Sequence, residues 1–209
     1  RDLALQIKVS RPSLRSGLRT LQAMGVVEAR QGSGTYIADG PPKLGDGPLR
    51  FLAALHGFTR DEMFEARRVL EVGTAGLAAE RAKPEHVARI ADEVTSMFAS
   101  LDDPQTFLVH DLQFHRVVAA GSGNPVLGTL IDTLAELVFE YRRVTVERAR
   151  DLRESAELHR SIYVAIRDRN PDEARRLMGE HLALARRAQA AEEEPGPASG
   201  PKPKARRAK

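Results

Sequence analysis

A chain of 209 residues, 42% hydrophobic and 29% charged, is long enough to bury a core and fits one large domain or two small ones. It has no cysteine, which excludes disulfides and thiolate metal sites, and no apolar run near the roughly 20 residues that span a bilayer. The net charge of +3 is uneven: residues 1–38 carry six Lys/Arg against two Asp/Glu, residues 189–209 carry five against three, and the stretch between is net negative. A cationic head on a mildly acidic body suits one end facing nucleic acid. No signal peptide is visible, and the lack of cysteine fits a reducing cytoplasm, with no membrane as a partner.

In chain order, Arg1–Ile7 reads as a short helix with Leu3, Ala4 and Ile7 inward, followed by a turn at Ile7-Lys8-Val9. Ser10 is a candidate N-cap and Pro12 sits in the first turn of a second helix, where its missing N–H costs nothing. Leu14, Leu18, Leu21 and Met24 make one apolar stripe, and Gly25 ends the helix. Arg11, Ser13, Arg15 and Arg19 occupy the opposite face, with the reach to contact phosphates and base edges in a major groove. Two strands follow, Val26-Val27 onward and Thr35-Tyr36-Ile37, around the turn Arg30-Gln31-Gly32-Ser33-Gly34. This is the layout of a partial winged helix-turn-helix. Its expected DNA contacts are Arg1, Arg11, Ser13, Arg15 and Arg19, with Arg30 and Gly32 in the wing. A merely solvated basic face is the alternative.

Asp39–Pro48 is dense in proline and glycine and reads as a linker. From Leu49 the pattern is helical throughout. A short helix over Leu49–Leu55 precedes a long one over Asp61–Ala82, with Met63, Ala66, Leu70, Leu77 and Ala78 inward. Further helices start at Pro84, Pro104 and Asn124-Pro125, and two more cover Leu152–Arg167 and Asp172–Ala190. The fold class expected is mainly α, an all-helical antiparallel bundle over residues 49–190 behind the DNA head. Residues 191–209 are proline-rich, end basic, and read as a disordered tail.

Four polar residues fall where these helices want apolar ones. Asp111 and His115 interrupt the stripe Phe107/Leu108–Val118; His159 interrupts Leu152, Ala156, Ile162, Ile166; His181 interrupts Ala174, Leu177, Leu184. An unpartnered buried polar group costs on the order of 1–3 kcal/mol, so four aimed at one core need mutual partners or an ion. Imidazoles and a carboxylate suit a divalent ion, zinc first, with nickel, manganese or iron as alternatives. Individually, each histidine also reads as a hydrogen-bonded core residue. His110 points about 100° away from Asp111 on its helix, and with His56 and His86 it reads as surface or incidental.

The head, RDLALQIKVSRPSLRSGLRTLQAMGVVEARQGSGTYIA, resembles the GntR family of bacterial transcription regulators. The family typically carries Glu-Ala where this chain has Ser16-Gly17. It also has a further helix before the position of Arg1, so the chain is expected to open partway through the motif. Residues 49–190 resemble the FCD ligand-binding domain of the FadR subfamily, through EARRVLEVGTAGLAAERA, DLQFHRVVAAGSGNPVL and ELHRSIYVAIRDRNPDEARRLMGEHL. The resemblance implies metal ligation by Asp111, His115, His159 and His181, with a small carboxylate effector beside the ion. It matches Arg67 to an arginine that lines the effector cavity; an ion pair with Glu71 one turn on is the competing role.

The function expected is a homodimeric, non-enzymatic transcription regulator, a repressor by family habit, released from a double-stranded DNA operator by an organic acid. A metal-dependent enzyme is the rival reading, against which no additional Glu or His is placed as a general base. A sensor that lacks DNA binding and acts through full-length partners is the third.

Overall fold

The computed structural model describes residues 2–38, 55–149 and 151–193. The expected linker over residues 39–48, all but the end of the short helix over 49–55, Arg1, and residues 194–209 of the expected tail lie outside the described residues, and residues 191–193, also expected in the tail, instead continue the last helix.

The head comprises α1 (Asp2–Gln6), α2 (Arg11–Ala23) and a hairpin of β1 (Val27–Arg30) and β2 (Gly34–Ile37), paired antiparallel with Val27 opposite Ile37 and Arg30 opposite Gly34. Ser10 caps α2 as expected: its Oγ accepts from the Ser13 N–H at 3.2 Å. Gly25 takes the left-handed conformation, φ 68, that the helix exit needs. The apolar positions here are less enclosed than expected. Ala4 is buried, but Leu3 and Ile7 are exposed, and so are Leu21 and Met24 on the α2 stripe. Two short helices and a hairpin offer too little surface to cover both sides of the stripe.

Behind it, among the described residues, come six long helices: α3 (Arg60–Arg81), α4 (Pro84–Ala99), α5 (Pro104–Gly121), α6 (Pro125–Arg148), α7 (Arg153–Arg167) and α8 (Pro171–Glu193). Their starts are written locally. Thr59 and Glu62 form a reciprocal capping box, with Thr59 N–H donating to Glu62 Oε2 at 2.8 Å and Glu62 N–H to Thr59 Oγ1 at 3.2 Å. Asp103 caps α5 and Asn124 caps α6, each just before a proline at the helix start. The C-terminus of α3 is closed from afar. Arg169, left-handed at φ 57, donates through Nη1 to Ala79 O (3.2 Å) and through Nη2 to Ala82 O (2.5 Å).

Helix α3 is the centre of the bundle, packing on α5, α6, α7 and α8, while α4 closes the far side against α5 and α7. The core joins Ala75, Ala78, Ile90, Met97, Phe107, Phe114, Ile162, Ile166, Met178 and Leu182. One expectation is corrected here. The buried face of α3 is Met63, Arg67, Glu71, Thr74, Ala75, Gly76, Ala78 and Ala79, whereas Ala66, Leu70 and Leu77 are only half-buried. The helix is rotated to bring a charged pair inside, which an apolar periodicity does not anticipate. Among the described residues no helix is long and apolar enough to cross a membrane.

Candidate metal centre and DNA-reading face

The bundle brings Asp111, His115, His159 and His181 together from three helices, α5, α7 and α8. Each offers one ligand-type atom, and these lie within 4.8 Å of one another, all buried. The imidazole rings pack closely, with centroids 4.1 Å apart for His159 and His181 and 5.2 Å for His115 and His181. Phe114, fully buried, meets the His159 ring edge-on at 4.6 Å and fixes its plane.

The ring nitrogens sort into two sets. His159 Nδ1 donates to the Ser155 carbonyl one turn earlier at 2.7 Å, which leaves Nε2 with a free lone pair. His115 Nδ1 lies 2.5 Å from Glu71 Oε2, and its Nε2 faces Asp111 Oδ1 at 3.7 Å. His159 Nε2 lies 3.1 Å from the same Asp111 oxygen. Both ring nitrogens of His115, His159 Nε2 and His181 Nδ1 are buried with no aligned hydrogen-bond partner, and so is Glu71 Oε2, which faces His115 Nδ1. Orphaned polar atoms of this kind are costly, and three imidazoles gathered within 4.8 Å of one another and of a carboxylate are a donor set that suits a divalent cation.

Two further buried charges complete the cluster, and the polar interruptions of the apolar stripes on α5, α7 and α8 point to neither. Glu71 on α3 bridges Arg67 and His115: Arg67 Nε donates to Glu71 Oε1 at 2.7 Å. Arg142 on α6 donates to Asp111 Oδ2, leaving Oδ1 for the histidines. A signal for Arg142 existed, since Ile131, Ala135 and Val138 form an inner stripe whose next position is 142. Glu71 was legible only as the i,i+4 partner of Arg67. It is an additional carboxylate where none was expected, but it sits behind the His115 ring, on the Nδ1 side, and is held by Arg67. Arg67 makes that ion pair and also lines the adjoining cavity.

Burial by itself would raise the Glu71 carboxyl, but Arg67 and His115 outweigh it and hold it well below the usual carboxylate range. Asp111 behaves alike: burial opposes ionisation, and Arg142 with the two histidine contacts overrides it. Burial pushes His159 down, and burial with the neighbouring histidines pushes His181 well down. Both rings are therefore neutral at pH 7, the form that ligates metals. Beside the cluster opens a cavity of about 320 Å³ between α3, α5, α6, α7 and α8, whose lining includes Arg67, Asp111, Arg142 and His181.

In the head, Arg11, Arg15 and Arg19 line one shallow concavity on α2 together with Pro12 and Ser16. Ser13 is partly committed to the cap, its hydroxyl 2.8 Å from Ser10 Oγ. Arg30 is drawn back along the wing, its Nε donating to Glu28 Oε1 at 2.8 Å and its guanidinium 4.8 Å over the Tyr36 ring. Gly32 sits at the wing tip with φ 76. His110 is tied to Glu93 at 2.8 Å, outside the cluster.

The FCD domain matches residues 62–184, and the bacterial regulatory proteins of the gntR family match residues 1–37. The chain is 32% identical over 180 residues to the HTH-type transcriptional regulator YcbG of Bacillus subtilis, covering 86% of this chain and 74% of that one. It is 31% identical over 185 residues to LutR, an HTH-type transcriptional regulator of the same organism, covering 86% and 84%. It is 31% identical over 189 residues to the HTH-type transcriptional repressor NanR of Klebsiella aerogenes, covering 87% and 72%. Among solved structures, a GntR protein of Streptococcus agalactiae superposes with a TM-score of 0.70 at 29% identity, over 90% of this chain and 86% of that one. Escherichia coli McbR/YncC shares the fold, with a TM-score of 0.59 at 16% identity over 92% and 86%.

Proposed function

The chain belongs to the bacterial GntR family of transcription regulators, with an FCD domain behind a DNA-binding head, and we propose on that premise that it is a metal-dependent sensor of a small carboxylic acid. Its relatives are regulators and not enzymes. Residues 1–38 read the operator, residues 39–48 join the two parts, the helices behind them sense, and the sequence beyond α8 ends basic.

The observation that carries this reading is the set of buried imidazole nitrogens without partners beside Asp111. Asp111, His115, His159 and His181 hold the ion, zinc in first place. When bound, such an ion supplies a fixed positive charge with an open position for an anion. Glu71 fixes the His115 tautomer, the Ser155 carbonyl fixes that of His159, and Arg142 orients Asp111. Arg67 and Arg142 add guanidinium groups to the cavity wall, suited to a carboxylate.

Two copies place two α2 helices on the half-sites of an inverted repeat, with Arg11, Arg15 and Arg19 at phosphates and base edges and the wing alongside. The acid releases the repressor by binding the DNA-competent and DNA-incompetent arrangements unequally. The test is elemental analysis of the purified protein beside a His159→Ala/His181→Ala variant, with gel shift on the operator. Metal in the parent and none in the variant supports the reading; equal metal in both places the ion elsewhere.

A further inference from the structure

The wing gathers a cation, its counter-ion and an aromatic ring on one face. Glu28 and Arg30 alternate to the same side of β1, and Tyr36 stands directly opposite Glu28 on β2. Gly34, opposite Arg30, has no side chain, and the Tyr36 ring leans across that gap: a Cβ at residue 34 would lie 3.9 Å from its Cε2. The Tyr36 hydroxyl is anchored at the turn, 2.6 Å from Ser33 Oγ. The Arg30 guanidinium lies 4.8 Å over the ring, and both its Nε, at 2.8 Å, and its Nη2 donate to Glu28 Oε1. Among the described residues of the head, Arg30 is tied to a carboxylate, whereas Arg11, Arg15 and Arg19 on α2 have no such partner.

The Arg30 and Glu28 side chains are 55% and 46% exposed, so their ion pair is a weak one. A DNA phosphate offers Arg30 the same anionic acceptor, together with the release of condensed counterions. Exchanging Glu28 for a phosphate is therefore favourable on DNA but small, and it leaves an unpaired carboxylate beside the backbone. Stacking on Tyr36 suits either partner, because the ring takes a face of the guanidinium while its hydrogen bonds leave through the edge. A pair of this strength tunes affinity and does not switch it.

We propose that Glu28 is a built-in stand-in for a DNA phosphate. It engages Arg30 on the free wing and gives it up to the backbone when the head meets DNA, and in doing so it lowers the sequence-independent affinity of the head. Tyr36 keeps the plane of the guanidinium through the exchange. This rests on DNA binding by the head and is independent of the metal and the acid.

The test is a double-mutant cycle on the full chain: the parent, Glu28→Gln, Arg30→Gln and the double variant, each titrated by fluorescence anisotropy against a short DNA duplex of random sequence over a series of salt concentrations. Glu28→Gln is expected to bind about two- to fivefold tighter than the parent, the scale of an exposed ion pair. Its salt slope is expected to steepen by about 1, one more phosphate contact. Arg30→Gln is expected to bind more weakly than the parent, and adding Glu28→Gln to it is expected to give a smaller gain than the same change gives in the parent. Unchanged or weaker binding by Glu28→Gln overturns the proposal, as does Arg30→Gln binding as tightly as the parent. An equal gain with and without Arg30 overturns it too, since only a negative charge near DNA would then have been lost. Absence of DNA binding by the parent removes this proposal together with the reading head and leaves the metal centre intact.

Discussion

Glu71 Oε2 on α3 stands 2.5 Å from His115 Nδ1 on α5, and on its other side Glu71 Oε1 accepts from Arg67 Nε at 2.7 Å. A carboxylate behind an imidazole sets which nitrogen carries the proton and which presents its lone pair. Glu71 is therefore the contact by which α3, the central helix of the bundle, meets the His115 ring on α5.

Glu71→Gln keeps the shape of the side chain and removes the charge. Zinc affinity, measured by chelator competition, is expected to fall about 10- to 100-fold, the range for partners behind a ligating histidine. Stability without added metal is expected to drop by about 3–5 kcal/mol, because Arg67 stays buried without its anion. An affinity within twofold of the parent would show that His115 is oriented by packing alone.

Adding zinc is expected to raise the melting temperature of the parent protein. At a free concentration about 100 times Kd the linkage is about 2.7 kcal/mol, which for a chain of this size is about 5–11 °C. His159→Ala is expected to show no such rise, since it removes the donor that is fully buried at the centre of the ring cluster. Differential scanning calorimetry with and without chelator checks both halves.

The head is open to a separate perturbation. Arg11→Ala/Arg15→Ala removes two cations from the concave face of α2. Specific operator binding is expected to be lost and the salt slope of residual binding to shrink by about 2, one unit for each phosphate contact removed. Metal content is expected to stay at the parental level. Specific binding at full strength would remove α2 as the reading helix.

Arg169 tests how α3 is held at its C-terminus. Its guanidinium caps two carbonyls of that helix, and its own backbone is left-handed. Arg169→Ala is expected to cost about 1.5–3 kcal/mol, the value of hydrogen bonds from a charged group. Arg169→Gly loses the same bonds but suits the positive φ, and is expected to be about 1 kcal/mol less damaging. Denaturant melts of the two variants separate cap from backbone; equal losses would mean that the left-handed conformation carries no cost.

The sequence by itself determined where most helices begin, because caps such as Ser10, Asp103 and Asn124 act on the N–H groups of the next turn and need nothing else. It also marked Asp111, His115, His159 and His181, since each interrupts an apolar stripe at a fixed helical spacing. The tertiary structure decided the rest. Periodicity sorts residues by polarity, so it turned the charged face of α3 outward and took Ala66, Leu70 and Leu77 as the core side. Arg67 and Glu71 are tolerable inside only because they meet each other and His115 from α5. Arg142 is tolerable because Asp111, 31 residues earlier in the chain, receives it. The desolvation of a buried charge is offset by its partner, and when that partner comes from another helix its identity follows from how the helices dock, which no local pattern records.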